Sequence, residues 1–220
     1  MGPAAAMTPC RIIAHRAGND LTALRAVAGL ADVAEADVHL FRGRLEVRHA
    51  KTIGPVPVLW ERWHLVPRPP RALGLAEVLA AVPDGTGLML DLKGPDPRLP
   101  RAVRAAIAGW ADGRALVVSS RVWPHLATFR GRPGLVTMRS AGTRWQLRLL
   151  LSRRTVAPDG VVVHRRLLTP AVVAALRARA DRVWTWPVDD PADAGVLVGW
   201  GVTGMISDAP GRLGPLGVGP

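Results

Sequence analysis

The sequence predicts an α/β chain folded as a single (β/α)8 TIM barrel, with an extra hairpin strand after the second barrel strand. Three observations lead there. Short apolar, β-branched runs alternate with Ala/Leu/Arg-rich amphipathic stretches along the chain. Most of these runs are continuously apolar, as parallel strands covered on both faces must be. Eight strand–helix alternations fit within 220 residues, the size of one such barrel. A doubly wound open sheet is the alternative arrangement of the same units.

The first strand is "RIIAH" (11–15), followed by a helical pattern over 21–31. "VAEADVHL" (33–40) turns through "RGR" into "LEVRH" (45–49), a short hairpin. A Pro-rich, Trp-bearing segment (54–70) precedes a helix in "LGLAEVLAAV" (73–82) and a strand in "GLMLDLK" (87–93). Helix 99–111, strand 115–120, helix 122–130, strand 134–140 and helix 144–151 come next. Strand 160–165, helix 170–180, strand 182–188, helix 191–199 and strand 204–208 complete the alternation. No linker or shift of composition divides the chain, so one domain is expected over 1–220, with a core over 11–210 and a loose Gly/Pro-rich C-terminal tail.

Hydrophobic residues make up 49% of the chain, including eight Trp, which excludes a disordered chain. No apolar run approaches the roughly 20 residues that span a bilayer. The N-terminal stretch lacks the basic and apolar regions of a secretory leader, and Ala6 breaks the myristoylation pattern. A single cysteine, Cys10, fits a reducing compartment, so a cytoplasmic location is expected. The net charge of +12 attracts anions, whether nucleic acid, acidic lipid headgroups or phosphorylated metabolites, although an Arg-rich coding habit explains it as well. Nucleic acid is set aside, because no zinc finger, helix-turn-helix or RNP-like motif is present. Of the 29 basic residues only Lys51 and Lys93 are lysines. In a chain that writes Arg elsewhere, a Lys points to a need for a compact ammonium group.

A barrel collects its functional groups at the C-terminal ends of its strands. Those ends read His15-Arg16, Glu35/Asp37/His39, His49, Asp91/Lys93, Ser119/Ser120, His164, Trp186 and Ser207/Asp208. Strand side chains alternate faces with period two, so Glu35, Asp37 and His39 point one way, and Asp91 and Lys93 share a face with Met89. Leu88, Leu90 and Leu92 then suit the helical layer, which turns Asp91 and Lys93 toward the barrel axis. Three carboxylates converging from neighbouring strands cannot all stay ionised and unpaired. A hard divalent cation, calcium or magnesium, resolves this with oxygen ligands, whereas zinc would draw on His or Cys. Ion pairing with Arg16 and Lys93 is the alternative. Beside such a metal, His15 and His49 can divide the work of base and acid in phosphodiester cleavage, with Arg16 clamping phosphate oxygens.

The sequence resembles the glycerophosphodiester phosphodiesterases, the family of phosphatidylinositol-phospholipase-like barrels. "AHRAG" (14–18) matches the family's His-Arg-Gly-Gly, with Ala17 in place of the first Gly. "NDLTAL" (19–24) echoes Pro-Glu-Asn-Thr-Leu and puts Asp20 at the Glu position. "EADVHL" (35–40), "EVRHA" (46–50), "DLK" (91–93), "WPVD" (186–189) and "GVTGMISDAP" (201–210) follow in the family's order. The resemblance runs over 12–210. It implies His15 and His49 as the acid–base pair, Arg16 as phosphate binder, and Glu35, Asp37 and Asp91 as ligands of calcium or magnesium. It further implies Lys93 as a substrate-side cation, Trp186 as a pocket wall, and hydrolysis of a glycerophosphodiester to glycerol 3-phosphate and an alcohol. Three departures stand out. Asp91 is a methylene shorter than the usual Glu, Ala50 replaces the Asp after the second His, and the insertion after that His is reduced to 59–70.

Other residues read as structural. His39 is expected to bond within the barrel, Trp60 and Trp63 to cover the barrel mouth near Arg62, and Trp110, Trp145 and Trp200 to pack on helices. The amphipathic stretch 146–155 and the Trp60/Trp63 loop offer a peripheral contact to an anionic membrane, with core packing as the other explanation. A non-catalytic or decayed relative that binds anionic lipid or phosphate, and a phosphodiesterase acting on lysolipids, are the rival functions. The leaving alcohol and the oligomeric state are left open.

Overall fold

The computed structural model describes residues 10–52, 58–61, 63–69, 71–110, 114–152 and 156–214. Eight parallel strands close into a barrel. In chain order these are β1 (Arg11–Ala14), β2 (Val33–Phe41), β7 (Gly87–Leu92), β8 (Leu116–Ser120), β9 (Leu135–Ala141), β10 (Gly160–His164), β11 (Arg182–Trp186) and β12 (Gly204–Ser207). The ring closes where β1 pairs with both β12 and β2. The predicted hairpin strand, β3 (Arg44–Val47), lies antiparallel on β2 outside the ring.

The segment 54–70, which reads as a Pro-rich loop, contributes two strands to a second sheet. That sheet consists of β4 (Lys51–Thr52), β5 (Val58–Glu61) and β6 (His64–Pro67), all antiparallel. Pro67 sits at the end of the outer strand, where a missing N–H costs no ladder bond. Trp60 and Trp63 are 40% and 90% exposed and neither lines the barrel mouth, contrary to the expected cover. Arg62 lies outside the described residues.

Helices α1 (Leu21–Ala26), α2 (Leu75–Ala81), α3 (Leu99–Ala106), α4 (Arg144–Leu151), α5 (Pro170–Arg177), α6 (Pro191–Gly199) and α7 (Pro210–Leu213) surround the strands. Asp20, Thr143, Thr169 and Asp190 accept first-turn N–H groups and so fix four helix starts. The segment predicted as helix 122–130 is a 3-10 helix over Trp123–Phe129, with a proline at its start. Part of the expected loose tail is α7, whose Leu213 is buried; 215–220 lie outside the described residues. Trp110 and Trp200 pack against the core as expected, but Trp145 is exposed, because α4 turns Leu147 and Leu150 inward instead.

The period-two reading of the strands holds. Leu88, Leu90 and Leu92 pack outward under the helices. Inside, Ile13, Val33, Met89, Val117, Met138, Val162, Trp184 and Ile206 form an apolar floor. Room for that floor comes from glycine at close approaches. A Cβ on Gly204 would lie 2.5 Å from the Trp184 ring, and one on Gly18 would lie 2.6 Å from the Ala36 Cβ. Gly204→Ala is therefore expected to destabilise the fold by about 1–3 kcal/mol through overpacking. Gly199→Ala, with nothing within 4 Å, should be neutral or slightly stabilising. Thermal unfolding of the two variants checks this, and equal melting temperatures would refute the packing account.

Candidate active site

Two residues beyond every floor residue but Trp184, the same inward face turns polar. Met89 is followed by Asp91, Val117 by Ser119, Val162 by His164 and Ile206 by Asp208, and each of these polar groups lines a cavity of about 800 Å³ at the C-terminal mouth. The site is thus the second storey of the barrel interior.

On β2 and β7 the storey is acidic. Asp37 stands directly opposite Asp91 in the strand register, and Asp91 directly opposite Ser119 on β8. Glu35, Asp37 and Asp91 each offer an oxygen within 4.8 Å of the others. Glu35 and Asp37 are almost fully buried. Each carboxylate is held by a donor. The Arg16 backbone N–H donates to Glu35 at 2.7 Å, and the Asn19 amide donates to Asp37 at 2.8 Å while accepting the Asp37 backbone N–H. Ser119 Oγ donates to Asp91 at 2.6 Å. Lys93 pairs with Asp37 at 2.7 Å and with Asp91.

One ammonium does not balance three carboxylates. Burial, and then the Asp37 charge, push Glu35 well above the usual carboxylate range. Burial also acts to raise Asp37, but Lys93 and the Asn19 amide overcome it and hold Asp37 below its ordinary value. Burial opposes the charge on Lys93 in turn; Asp91, Asp37 and Glu35 outweigh it and keep the ammonium protonated. The donor set fits a hard divalent cation. Its three carboxylates would hold such an ion, which would supply the missing positive charge.

Arg16 leaves β1 in the left-handed region (φ 54°), a conformation costing an L-residue roughly 1–2 kcal/mol. Its guanidinium lies beside Asp37 at 3.8 Å, and its buried Nε has no hydrogen-bond partner. Both catalytic candidates are backed by carboxylates. His15 Nδ1 meets Asp208 at 2.7 Å, and His49 Nδ1 meets Glu61 at 2.5 Å. Burial pushes His15 below the ordinary histidine range, with Asp208 pulling the other way. His39 faces the same cavity but is pushed down to about 4, first by burial and then by Arg48, so it stays neutral.

His15, Arg16, Glu35, Asp37, His49, Asp91, Lys93 and Trp186 all line the one cavity. Asp20, placed by its motif at an acidic family position, caps α1 instead. Sequence reasoning missed Asn19 and Glu61 as partners, and it noted Asp208 only as a strand end. Asn19 precedes a helix start and reads as turn chemistry, while Glu61 reaches His49 only because of the register of the second sheet.

No protein-family model matches the chain, and no curated protein matches it. Solved structures do. A phosphodiesterase from Oleispira antarctica, in complex with the product sn-glycerol-3-phosphate, aligns at 18% identity and TM-score 0.74, over 94% of this chain and 96% of that one. A glycerophosphodiester phosphodiesterase from Parabacteroides distasonis aligns at 20% identity and TM-score 0.72, over 94% and 96%. One from Thermotoga maritima aligns at 17% and 0.65, over 92% and 96%. The fold is that of the glycerophosphodiester phosphodiesterases. On the glycerophosphodiester phosphodiesterase fold, this chain carries its acidic triad and both carboxylate-backed imidazoles at one barrel mouth.

A divalent cation held by Glu35 would need that carboxylate ionised. Because its pKa is raised in the metal-free protein, a proton must leave below that pKa. Affinity for calcium or magnesium should therefore fall by up to about tenfold for each unit of pH decrease there, and level off above it. Calorimetric titration in two buffers of different ionisation heat reads the released proton. An affinity independent of pH, with no proton release, would remove Glu35 from the ligand set.

Proposed function

We propose that the protein is a metal-dependent phosphodiester hydrolase that cleaves glycerophosphodiesters to glycerol 3-phosphate and an alcohol. The observation that carries this is the placement of two carboxylate-backed imidazoles beside a buried acidic triad in one cavity. The product bound in the Oleispira neighbour supports the choice of substrate class.

Glu35, Asp37 and Asp91 would hold the cation, calcium or magnesium. Bound there, it supplies charge neutralisation for the phosphate oxygens. Arg16, which lines the same cavity, would set its guanidinium against the phosphate. Asp208 and Glu61 would each accept a hydrogen bond from a histidine Nδ1–H, which leaves Nε2 of His15 and of His49 to exchange protons with the substrate, one ring entering neutral as base and the other as imidazolium. One imidazole accepts the proton of the attacking oxygen, and the other returns a proton to the leaving alkoxide. Trp186 and Lys93 bound the space where the rest of the diester lies. Lys93 stays tied to Asp37 and Asp91, so it fixes the triad while presenting its charge to the substrate.

A second reading, hydrolysis of lysolipids at a membrane surface, is favoured by the exposed Trp60, Trp63 and Leu65 on the second sheet that also carries Glu61. No helix among the described residues is long and apolar enough to cross a membrane.

The assay is release of glycerol 3-phosphate from a panel of glycerophosphodiesters by protein stripped of metal and then restored with calcium or magnesium. His15→Ala and Glu35→Gln should each lower kcat by about 10²–10⁴-fold. Metal-independent turnover, or full activity in either variant, would sink the mechanism. Turnover of a lysophospholipid alone would select the second reading. Glu61→Gln should lower kcat by about 10–100-fold with KM little changed, because the histidine loses its orienting partner and not its contact with substrate. An unchanged kcat would make the His49–Glu61 bond incidental.

A further inference from the structure

The polar storey of the cavity is divided by charge. Its carboxylates stand on β2, β7 and the end of β12. Across the barrel, on β8 to β10, the inward positions are Ser119, Ser140 and His164, followed at the lip by Arg121, and none of them is acidic. Asp96, in the loop after β7, is already held by Arg98 at 2.8 Å.

Arg121 has no carboxylate partner among the described residues. Its guanidinium lies 5.8 Å from the Trp186 ring and against Gly142, where a Cβ would come within 3.2 Å of Nη2. His164 meets the edge of the same Trp186 ring at 5.4 Å. Its Nδ1 accepts the Arg166 backbone N–H, so the neutral ring carries its proton on Nε2 as a donor. Arg166 adds a second cation, with Nη2 donating to the Gly142 carbonyl at 3.2 Å. Burial, and then Arg166 and Arg121, push His164 below the ordinary histidine range. Among the described residues, two cations without an acidic partner thus stand beside a histidine and a tryptophan.

We infer that Arg121 and His164, beside Trp186, form a subsite for a second anionic group on the substrate. The favoured substrates are then diesters that carry a carboxylate or phosphate monoester besides the reacting phosphate. This rests on the phosphodiesterase reading for its reacting phosphate and extends it to a substrate class. Like charges that lack partners are relieved by an anion, and a guanidinium binds carboxylate or phosphate with paired hydrogen bonds. The apolar Trp186 face between them suits the carbon skeleton that joins the two anions.

Two matched pairs test it. Glycerophosphoserine differs from glycerophosphoethanolamine by one carboxylate, and glycerophosphoinositol 4-phosphate differs from glycerophosphoinositol by one phosphate. Each cleavage releases a single glycerol 3-phosphate. The expected result is a kcat/KM ratio of about tenfold or more for the anionic member of at least one pair. Arg121→Gln should bring that ratio to within about twofold, and 0.5 M salt should shrink it. The favoured pair tells carboxylate from phosphate. Equal turnover within both pairs, or a preference untouched by Arg121→Gln, overturns the subsite and leaves the phosphodiesterase reading standing. If no diester is turned over, that reading fails by itself, and calorimetric binding of the same pairs to calcium-loaded protein decides the subsite. Tighter binding of an anionic member, lost in Arg121→Gln, supports it; equal binding overturns it. Unchanged thermal unfolding of Arg121→Gln confirms that the variant is folded.

Discussion

The buried row of carboxylates on β2 and β7 is the constraint around which the rest of the site is arranged. Two parallel strands in register place Asp37 against Asp91, with Glu35 two residues below on the same face. An uncompensated buried charge costs several kcal/mol, whereas a non-glycine residue in the left-handed region costs roughly 1–2 kcal/mol. The buried charge therefore decides the local backbone. Arg16 accepts its positive φ because that conformation turns its N–H onto Glu35 and lets Asn19 reach Asp37 from both its donor and its acceptor atoms. The same tight turn presses Gly18 against Ala36. Glycine is needed at 18 and not at 17, and this explains how Ala17 can replace the first glycine of the motif.

The second sheet answers another departure from the family pattern, Ala50. With Ala50 after His49, the chain carries no carboxylate beside that histidine in sequence. It supplies one from β5, where Glu61 reaches His49 at 2.5 Å. The sheet that delivers Glu61 is tied down near its far end. Arg68, just past β6, pairs with Glu46 on β3 and lies 3.7 Å over the Phe41 ring, while Arg48 takes the other oxygen of Glu46. His15 reaches an equivalent state by a different route, through Asp208 at the end of β12. The backbone N–H of Asp208 and the Ser207 hydroxyl both donate to Asp189, which fixes that strand end. Both histidines thus meet a carboxylate at Nδ1, and the two carboxylates come from different places in the chain.

This division explains what could be read from the residues alone. The barrel and its polar storey were legible because strand parity is local: every second residue faces inward, so Met89 announces Asp91, and Leu88, Leu90 and Leu92 announce the helical layer. The acidic triad followed from that rule, and His15 and His49 from their places at strand ends. Glu61 was not legible, since its role depends on how three short antiparallel strands pair across prolines, a long-range register with no sequence period. Asn19 was hidden for the opposite reason. Its position before a helix start has an adequate local explanation, and that helix is in fact capped by its neighbour Asp20. Trp145 was misplaced because α4 has two candidate apolar faces, and only packing selects Leu147 and Leu150 over the indole.

The charge pattern also separates the tasks of the two basic residues nearest the triad. Lys93 and Arg16 both carry permanent charge, and both line the cavity. Lys93 is bound to Asp37 and Asp91, so most of its field is spent within the triad. Arg16 contributes its backbone N–H to Glu35 and keeps its guanidinium 3.8 Å from Asp37, with Nε unpartnered. A compact ammonium can sit between two strand carboxylates where a planar guanidinium would not fit, and a guanidinium can fork toward phosphate oxygens where an ammonium offers only a point charge. In a chain with two lysines among 29 basic residues, this accounts for a lysine at 93 and an arginine at 16. Charge balance of the triad falls to the first, and a guanidinium at the cavity wall to the second.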